Sequence, residues 1–226
     1  MVKKYEVVQL SLYGTSVIGV YMFTNNRYTL VPAEAPEKID EIVRSTLGTE
    51  IVRVTIGKTP LIGVFVVGND HGLLVPDIVT EDEFRILKQL DLCIDVLKTK
   101  HDALGNLILT NNRATLVSPL IEREHLEKIR DVLGTETFVD TICESPLVGA
   151  LAVANSRGVL VSADARDEDL KKLKDIFKTY VDVGTVNKGK TAIRGGLVAN
   201  DRGALVGDET TGLEIVRIIE VLGYES

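Results

Sequence analysis

Leu61-Ile62-Gly63-Val64-Phe65-Val66-Val67-Gly68-Asn69-Asp70-His71-Gly72-Leu73-Leu74-Val75-Pro76 is the stretch on which the fold turns. A β-rich apolar run leads to Asn, two polar residues and Gly, and a second apolar run follows. That order reads as a β-hairpin. The same grammar returns near 17–32, 103–117, 147–161 and 193–206. The turn asparagines are Asn25, Asn69, Asn111, Asn155 and Asn200, spaced by 44, 42, 44 and 45 residues. A period of that size marks a repeat architecture. Gly72, Gly158 and Gly203 suit the left-handed bulge position of a type I turn. Tyr28 and Ala114 stand there in copies one and three, so those two turns are expected to differ.

Each hairpin is followed by helical apolar spacing at 36–47, 81–90, 121–133, 167–178 and 211–222. Thr80-Glu81-Asp82-Glu83 and Thr211 with Glu214 are capping boxes. Leu47-Gly48 and Leu133-Gly134 place Gly just past a helix end. A third strand then follows at 51–56, 92–99, 137–143 and 180–186, but none follows the last helix. A spare strand, Tyr5–Leu12, precedes the first hairpin. The economical solution is a closed α/β ring of five pseudo-symmetric β-β-α-β repeats spanning 1–226. In it the N-terminal strand completes the last repeat and removes the open end of a linear array.

Composition bounds the function. The chain has 226 residues, 45% hydrophobic and 26% charged, ordinary for a globular protein. No stretch approaches the roughly 20 apolar residues of a membrane span. The start, Met1 to Glu6, runs straight into a strand pattern, which predicts no secretory leader. Cys93 and Cys143 are too few for a disulfide framework and predict an intracellular chain. The net charge is -7. A general nucleic-acid binder carries the opposite balance, so any RNA contact must be local or made through a protein partner.

Four segments carry a family resemblance: Gly68 to Pro76, Ala103-Leu104-Gly105-Asn106, Gly184-Thr185-Val186-Asn187-Lys188-Gly189, and Gly207-Asp208-Glu209-Thr210-Thr211. In order and spacing they resemble the archaeal translation initiation factor 6 family, whose ring is the pentein fold. The resemblance implies a cytoplasmic, monomeric, non-enzymatic factor without cofactor. It implies binding of the large (50S) ribosomal subunit at its intersubunit face, with roles in ribosome biogenesis and initiation. Docking would be on ribosomal protein L14 and nearby rRNA, blocking the small subunit sterically and leaving release to another factor. Tyr224-Glu225-Ser226 leaves no room for the Ser-rich tail of eukaryotic members. Arg194 departs from the pattern, standing where the other copies have Gly19, Gly63, Gly105 and Gly149.

Two enzymatic readings compete. Residues 184–191 fit the phosphate-loop pattern letter for letter, which requires a following helix whose amides face phosphate. The repeat instead predicts a strand over 192–198, and copy two holds Gly57-Lys58-Thr59 with Val52 where the first Gly belongs. Guanidino-modifying enzymes of this fold use a Cys nucleophile with His and acidic partners. Cys93 and Cys143 fall at non-equivalent places, and His71, His101 and His125 fall at a hairpin tip, in a loop and on a helix. The histidines lie 30 and 24 residues apart, without metal-ligand spacing. The acidic runs 81–83 and 167–169, and Lys171, Lys172, Lys174 and Lys178, suit helix dipoles and read as solvated faces.

The residues that break the repeat are more informative. Just past the anchor Gly the copies read Val20, Val64, Asn106, Ala150 and Gly195. Asn is poor in a strand interior. Asn106 therefore reads either as satisfying a local bend or, with Val64 at the matching place, as contacting a partner on an interaction rim. The loops that lead into the hairpins carry Lys58, Lys98, Lys100, His101, Lys188, Lys190 and Arg194. A ring puts these loops on one face, as a basic arc suited to docking beside rRNA.

Overall fold

The computed structural model describes residues 4–224; Met1–Lys3, at the start read above, and Glu225–Ser226 lie outside the described residues. After β1 (Glu6–Leu10) one element order recurs five times. Unit one has a 3-10 turn at Ile18–Val20, then β2 (Phe23–Thr24), β3 (Tyr28–Pro32), α1 (Lys38–Thr46) and β4 (Glu50–Val54). Unit two has α2 (Ile62–Phe65), β5 (Val67–Gly68), β6 (Gly72–Pro76), α3 (Glu81–Leu87) and β7 (Cys93–Leu97). Unit three has α4 (Leu104–Leu107), β8 (Ile108–Thr110), β9 (Ala114–Val117), α5 (Leu126–Leu133) and β10 (Glu136–Val139). Unit four has α6 (Val148–Leu151), β11 (Ala152–Ala154), β12 (Gly158–Ser162), α7 (Asp167–Phe177) and β13 (Tyr180–Gly184). Unit five has α8 (Ile193–Gly196), β14 (Leu197–Ala199), β15 (Gly203–Gly207) and α9 (Gly212–Leu222).

Each unit builds a three-stranded sheet with the hairpin antiparallel and the third strand parallel. The third strand of unit five is β1, paired from Glu6 opposite Gly203 to Leu10 opposite Gly207. The N-terminal strand thus completes the last repeat, as the spare strand in the sequence predicted.

The helix of each unit lies against its predecessor's sheet: α5 on β6 and β7, α7 on β9, α9 on β12 and β13, and α1 on β15 and β1. None of the five apolar clusters lies within one unit. Leu160 of unit four, for example, shares a cluster with Ile218, Val221 and Leu222 of α9. Those three recur at helical spacing on one buried stripe. A unit therefore cannot bury its own apolar face, and closure gives the first and last units the neighbours they need.

Three expectations need correction. Residues 192–198 do not form one strand, because α8 occupies Ile193–Gly196 and β14 begins at Leu197. Every copy inserts such a turn of helix before its hairpin, and these turns touch one another around the axis. Their glycines allow the approach: a Cβ on Gly63 would stand 1.9 Å from the Gly19 carbonyl oxygen, and one on Gly105 2.1 Å from that of Gly63. Second, Gly72, Gly158 and Gly203 are not left-handed. They are needed because the next unit's helix end crowds them: a Cβ would meet the carbonyl oxygens of Val132 at 2.0 Å, Val221 at 2.2 Å and Thr46 at 2.7 Å. Third, the turns with Tyr28 and Ala114 match the others. In all five the Asn Oδ1 accepts the amides two and three residues on.

Candidate functional site

The ring has two unlike ends. At the hairpin-tip end, Asn25 Nδ2 donates to the Asn69 carbonyl, Asn69 to Asn111, Asn111 to Asn155, Asn155 to Asn200, and Asn200 back to Asn25. The bonds are 2.9–3.0 Å long and form a closed circuit of buried side chains. Asn69, Asn155 and Asn200 also donate to the carbonyls of Leu133, Leu222 and Leu47 at the ends of α5, α9 and α1. The repeat's most regular residue is thus used up in closing the ring.

At the other end sit the short helices and the lead-in loops. Leu12 bridges Thr15, Ile56 bridges Thr59, Ile142 bridges Ser145 and Val186 bridges Lys190. Non-Gly residues in these tight turns hold positive φ: Tyr13, Lys58, Cys143, Glu144, Asn187 and Lys188. Such a residue costs roughly 1–2 kcal/mol and persists where its surroundings hold it. In three of these turns, at Lys58, Cys143–Glu144 and Asn187–Lys188, the holding group is a carboxylate at a helix start. Glu83 closes the capping box of α3 and also accepts from the Thr55 hydroxyl and the amides of Gly57 and Lys58. Glu214 does the same on α9, accepting from Thr185, Lys188 and Gly189. Asp169 accepts from Cys143, and Glu122 from Thr99.

Burial pushes the Glu214 carboxyl up, but hydrogen bonds from the Thr211 and Gly189 amides and the Thr185 and Thr211 hydroxyls outweigh it and hold it at about 2. Glu83 is lowered by the same balance. The acidic runs at 81–83 and 167–169 are therefore not simply solvated faces. Glu83, Asp169 and Glu214 are buried, and Lys172 is spent on Asp140 and Asp169.

This geometry also decides the phosphate-loop match. The Lys188 and Gly189 amides, which a phosphate would need, already face Glu214. The four residues of α8 stand where a full helix would be required. Burial raises the Cys143 thiol above its ordinary value, opposite to what a nucleophile needs. Cys93 is exposed on β7.

The rim residues divide. Asn106 lies on α4, not in a strand, and is partly exposed. Its backbone amide is used by Ala103, while among the described residues its side-chain amide has no hydrogen-bond partner. The bend needs no help from it. Val64 and Ala150 hold the matching places on the neighbouring short helices α2 and α6, and Leu147, at the start of α6, is well exposed. The basic arc is thinner than its residue count. Lys188 pairs with Glu209 at 3.3 Å, Lys98 with Asp77 at 3.5 Å and Lys100 with Glu122 at 4.0 Å. Lys58 and Lys190 have no ion-pair partner among the described residues. His101 is partly buried in its loop.

Arg194 is not on a loop at all. It sits on α8 and sends its side chain into the central channel, where Nε donates to Gly63 and Nη2 to Val66, both at 3.1 Å. Burial lowers its guanidinium to about 10. The cross-ring hydrogen bonds were invisible to the sequence reading, although the break at an anchor Gly pointed to the right residue.

The eIF-6 family model matches residues 7–221. The chain belongs to the eIF-6 family. It is 55% identical over 219 residues to translation initiation factor 6 of Pyrobaculum arsenaticum, covering 97% of this chain and all of that protein. The factor of Pyrobaculum aerophilum is 53% identical over the same shares. That of Saccharolobus islandicus is 44% identical over 95% of this chain and 98% of its own. A solved dimethylarginine dimethylaminohydrolase, in an adduct with S-methyl-L-thiocitrulline, aligns at a TM-score of 0.49 and 14% identity, over 78% of this chain and 69% of that one. A likeness that slight carries no argument here. The family places the chain among translation factors.

Proposed function

We propose that the chain binds the large ribosomal subunit at its intersubunit face and blocks the small subunit by bulk, as a cytoplasmic monomer. The docking partner in this reading is ribosomal protein L14, with rRNA beside it. The eIF-6 family match over residues 7–221 carries the reading, and the lead-in turns support it, since their carboxylates serve to hold the loop backbone in shape. Asn106 selects the end that docks. It offers a donor and an acceptor without a partner of its own, within an apolar patch that a protein surface could cover. Lys58 and Lys190, on lead-in loops at the same end and without ion-pair partners among the described residues, supply cations for nearby phosphates.

The test is sedimentation of purified large subunits with the protein, followed by challenge with small subunits. Co-sedimentation with large subunits alone and a smaller joined-ribosome peak are expected. Asn106→Val, which restores an apolar residue seen in two other copies, should weaken binding by about tenfold while folding normally. Lys58→Glu with Lys190→Glu should slow association most at low salt. If charge reversal at Arg27 and Arg202, on the tip end, abolishes binding while these variants do nothing, the docking end is the other one.

A further inference from the structure

The tip end carries a second basic feature. The third tip residue is Arg27, His71, Arg113, Arg157 or Arg202. The four arginines donate to carbonyls at or just beyond the next unit's helix end: Asp91, Lys178, Gly223 and Gly48. Cations at helix C-termini are favoured by the dipole, so the repeat explains these arginines.

Between the tips of units three and four the pattern opens into a cleft of about 840 Å³. Its walls are Arg113, Arg157, Lys174, Lys178, Tyr180 and Tyr224. Lys174 and Lys178 are exposed and have no ion-pair partner among the described residues. Among the described residues, Asp175 is the one acid on the walls. Tyr180 and Tyr224 stack at 4.8 Å with their planes 13° apart, and both stay more than a third exposed. The hydroxyl oxygen of Thr179, on the same wall, is buried without a hydrogen-bond partner among the described residues. Helix dipoles account for the two lysines on α7. They account for Arg113 and Arg157 singly as well, but not for the convergence of all four cations on an exposed aromatic stack.

We propose that this cleft binds a short single strand of RNA, with Lys174 and Lys178 on its phosphates and the Tyr180–Tyr224 stack supporting a base. Basic grooves with aromatic platforms hold single strands without reading sequence, since every base has a stacking face. With an overall charge of -7, attraction for RNA must come from local basic features such as this cleft. The proposal stands apart from subunit docking, which uses the opposite end, so either can fail alone.

The test is fluorescence anisotropy of a labelled RNA strand of about 12 nucleotides with the full chain, between about 50 and about 200 mM salt. Two lysines in contact with phosphates predict a log–log salt slope near about -1.4. Lys174→Glu with Lys178→Glu should weaken binding more than about tenfold and flatten the slope by about 1.4. Tyr224→Ala should weaken it about tenfold even at the higher salt, where stacking survives screening. Lys58→Glu with Lys190→Glu should bind as the parent does, and unchanged melting temperatures check that each variant folds. The proposal is overturned if the parent fails to bind at the lower salt. It is also overturned if the Lys174 and Lys178 pair binds undiminished, if the lead-in pair loses as much, or if uridine monophosphate or inorganic phosphate competes as well as the strand does.

Discussion

Asn155→Ala removes one link of the circuit that closes the ring, and its cost can be worked bond by bond. Nδ2 donates to the carbonyls of Asn200 at 3.0 Å and Leu222 at 2.8 Å. Oδ1 accepts from the amides of Arg157 and Gly158, both at 2.9 Å. At about 1 kcal/mol net for each bond the loss is about 4 kcal/mol, and more if the stranded partners stay dry. For a chain of this size that lowers the melting temperature by roughly 8–16 °C. Asn25 makes one bond fewer, having no helix-end carbonyl to reach. Asn25→Ala should therefore cost about 1 kcal/mol less. Asn155→Asp separates the two halves of the side chain. It keeps the acceptor, loses both donors and turns a carboxylate toward two carbonyls, so it should be no more stable than the alanine variant at neutral pH and should recover on acidification. Differential scanning calorimetry reads all three. If Asn155→Ala melts within about 2 °C of the parent, or Asn25→Ala is the worse of the pair, the circuit does not hold the ring closed.

Two further outcomes follow from the same bonds. Glu214 has its carboxyl at about 2 in the folded chain, so its contribution is fully present above about 4.5 and fades as pH falls from there toward 2. Glu214→Gln should cost roughly 2 kcal/mol at neutral pH after allowance for solvent screening. The gap to the parent in urea melts should close at acid pH, and a gap independent of pH would refute the assignment. Deleting residues through Leu10 should strip β15 of its parallel partner and the core of Tyr5 and Leu10, leaving a chain that melts far lower. Unchanged melting would contradict closure by the N-terminal strand.

The ring was legible because its period, its spare strand and its helix caps are local patterns. Asn at a fixed spacing, Gly48 and Gly134 past helix ends, and the Thr80 and Thr211 boxes each declare themselves within a few residues. What escaped was set by contacts between units. Gly72 looked like a turn glycine, yet the Val132 carbonyl is what forbids a side chain there. The residues before each hairpin looked like strand because their apolar composition suits both states, and only the crowding of short helices about the axis selects a turn of helix. The tip asparagines read only as turn residues, whereas the circuit between neighbours buries them. Of the candidate docking residues, Asn106 was found as a break in the repeat. The neutralisation of Lys188 by Glu209 depends on a loop 21 residues away.

Arg194 is the break in symmetry that most tempts correction, and Arg194→Gly tests what it does. Repeat consensus alone predicts that glycine should stabilise, since four of five copies carry it. The energetics point the other way by a small margin. Lowering the guanidinium from its ordinary value to about 10 corresponds to a burial cost of about 3 kcal/mol that the variant would recover. Against that stand two hydrogen bonds from a charged donor to Gly63 and Val66, worth about 1.5–3 kcal/mol each. Those bonds join unit five to unit two across the channel, so their loss also leaves two carbonyls facing it. The expected result is a net loss of up to about 3 kcal/mol, smaller than that of Asn155→Ala, with subunit binding unchanged because the guanidinium points down the axis and away from the rim. A variant that melts above the parent would make Arg194 a tolerated burden instead of a cross-ring strut. A stable variant that no longer binds large subunits would return Arg194 to the docking surface.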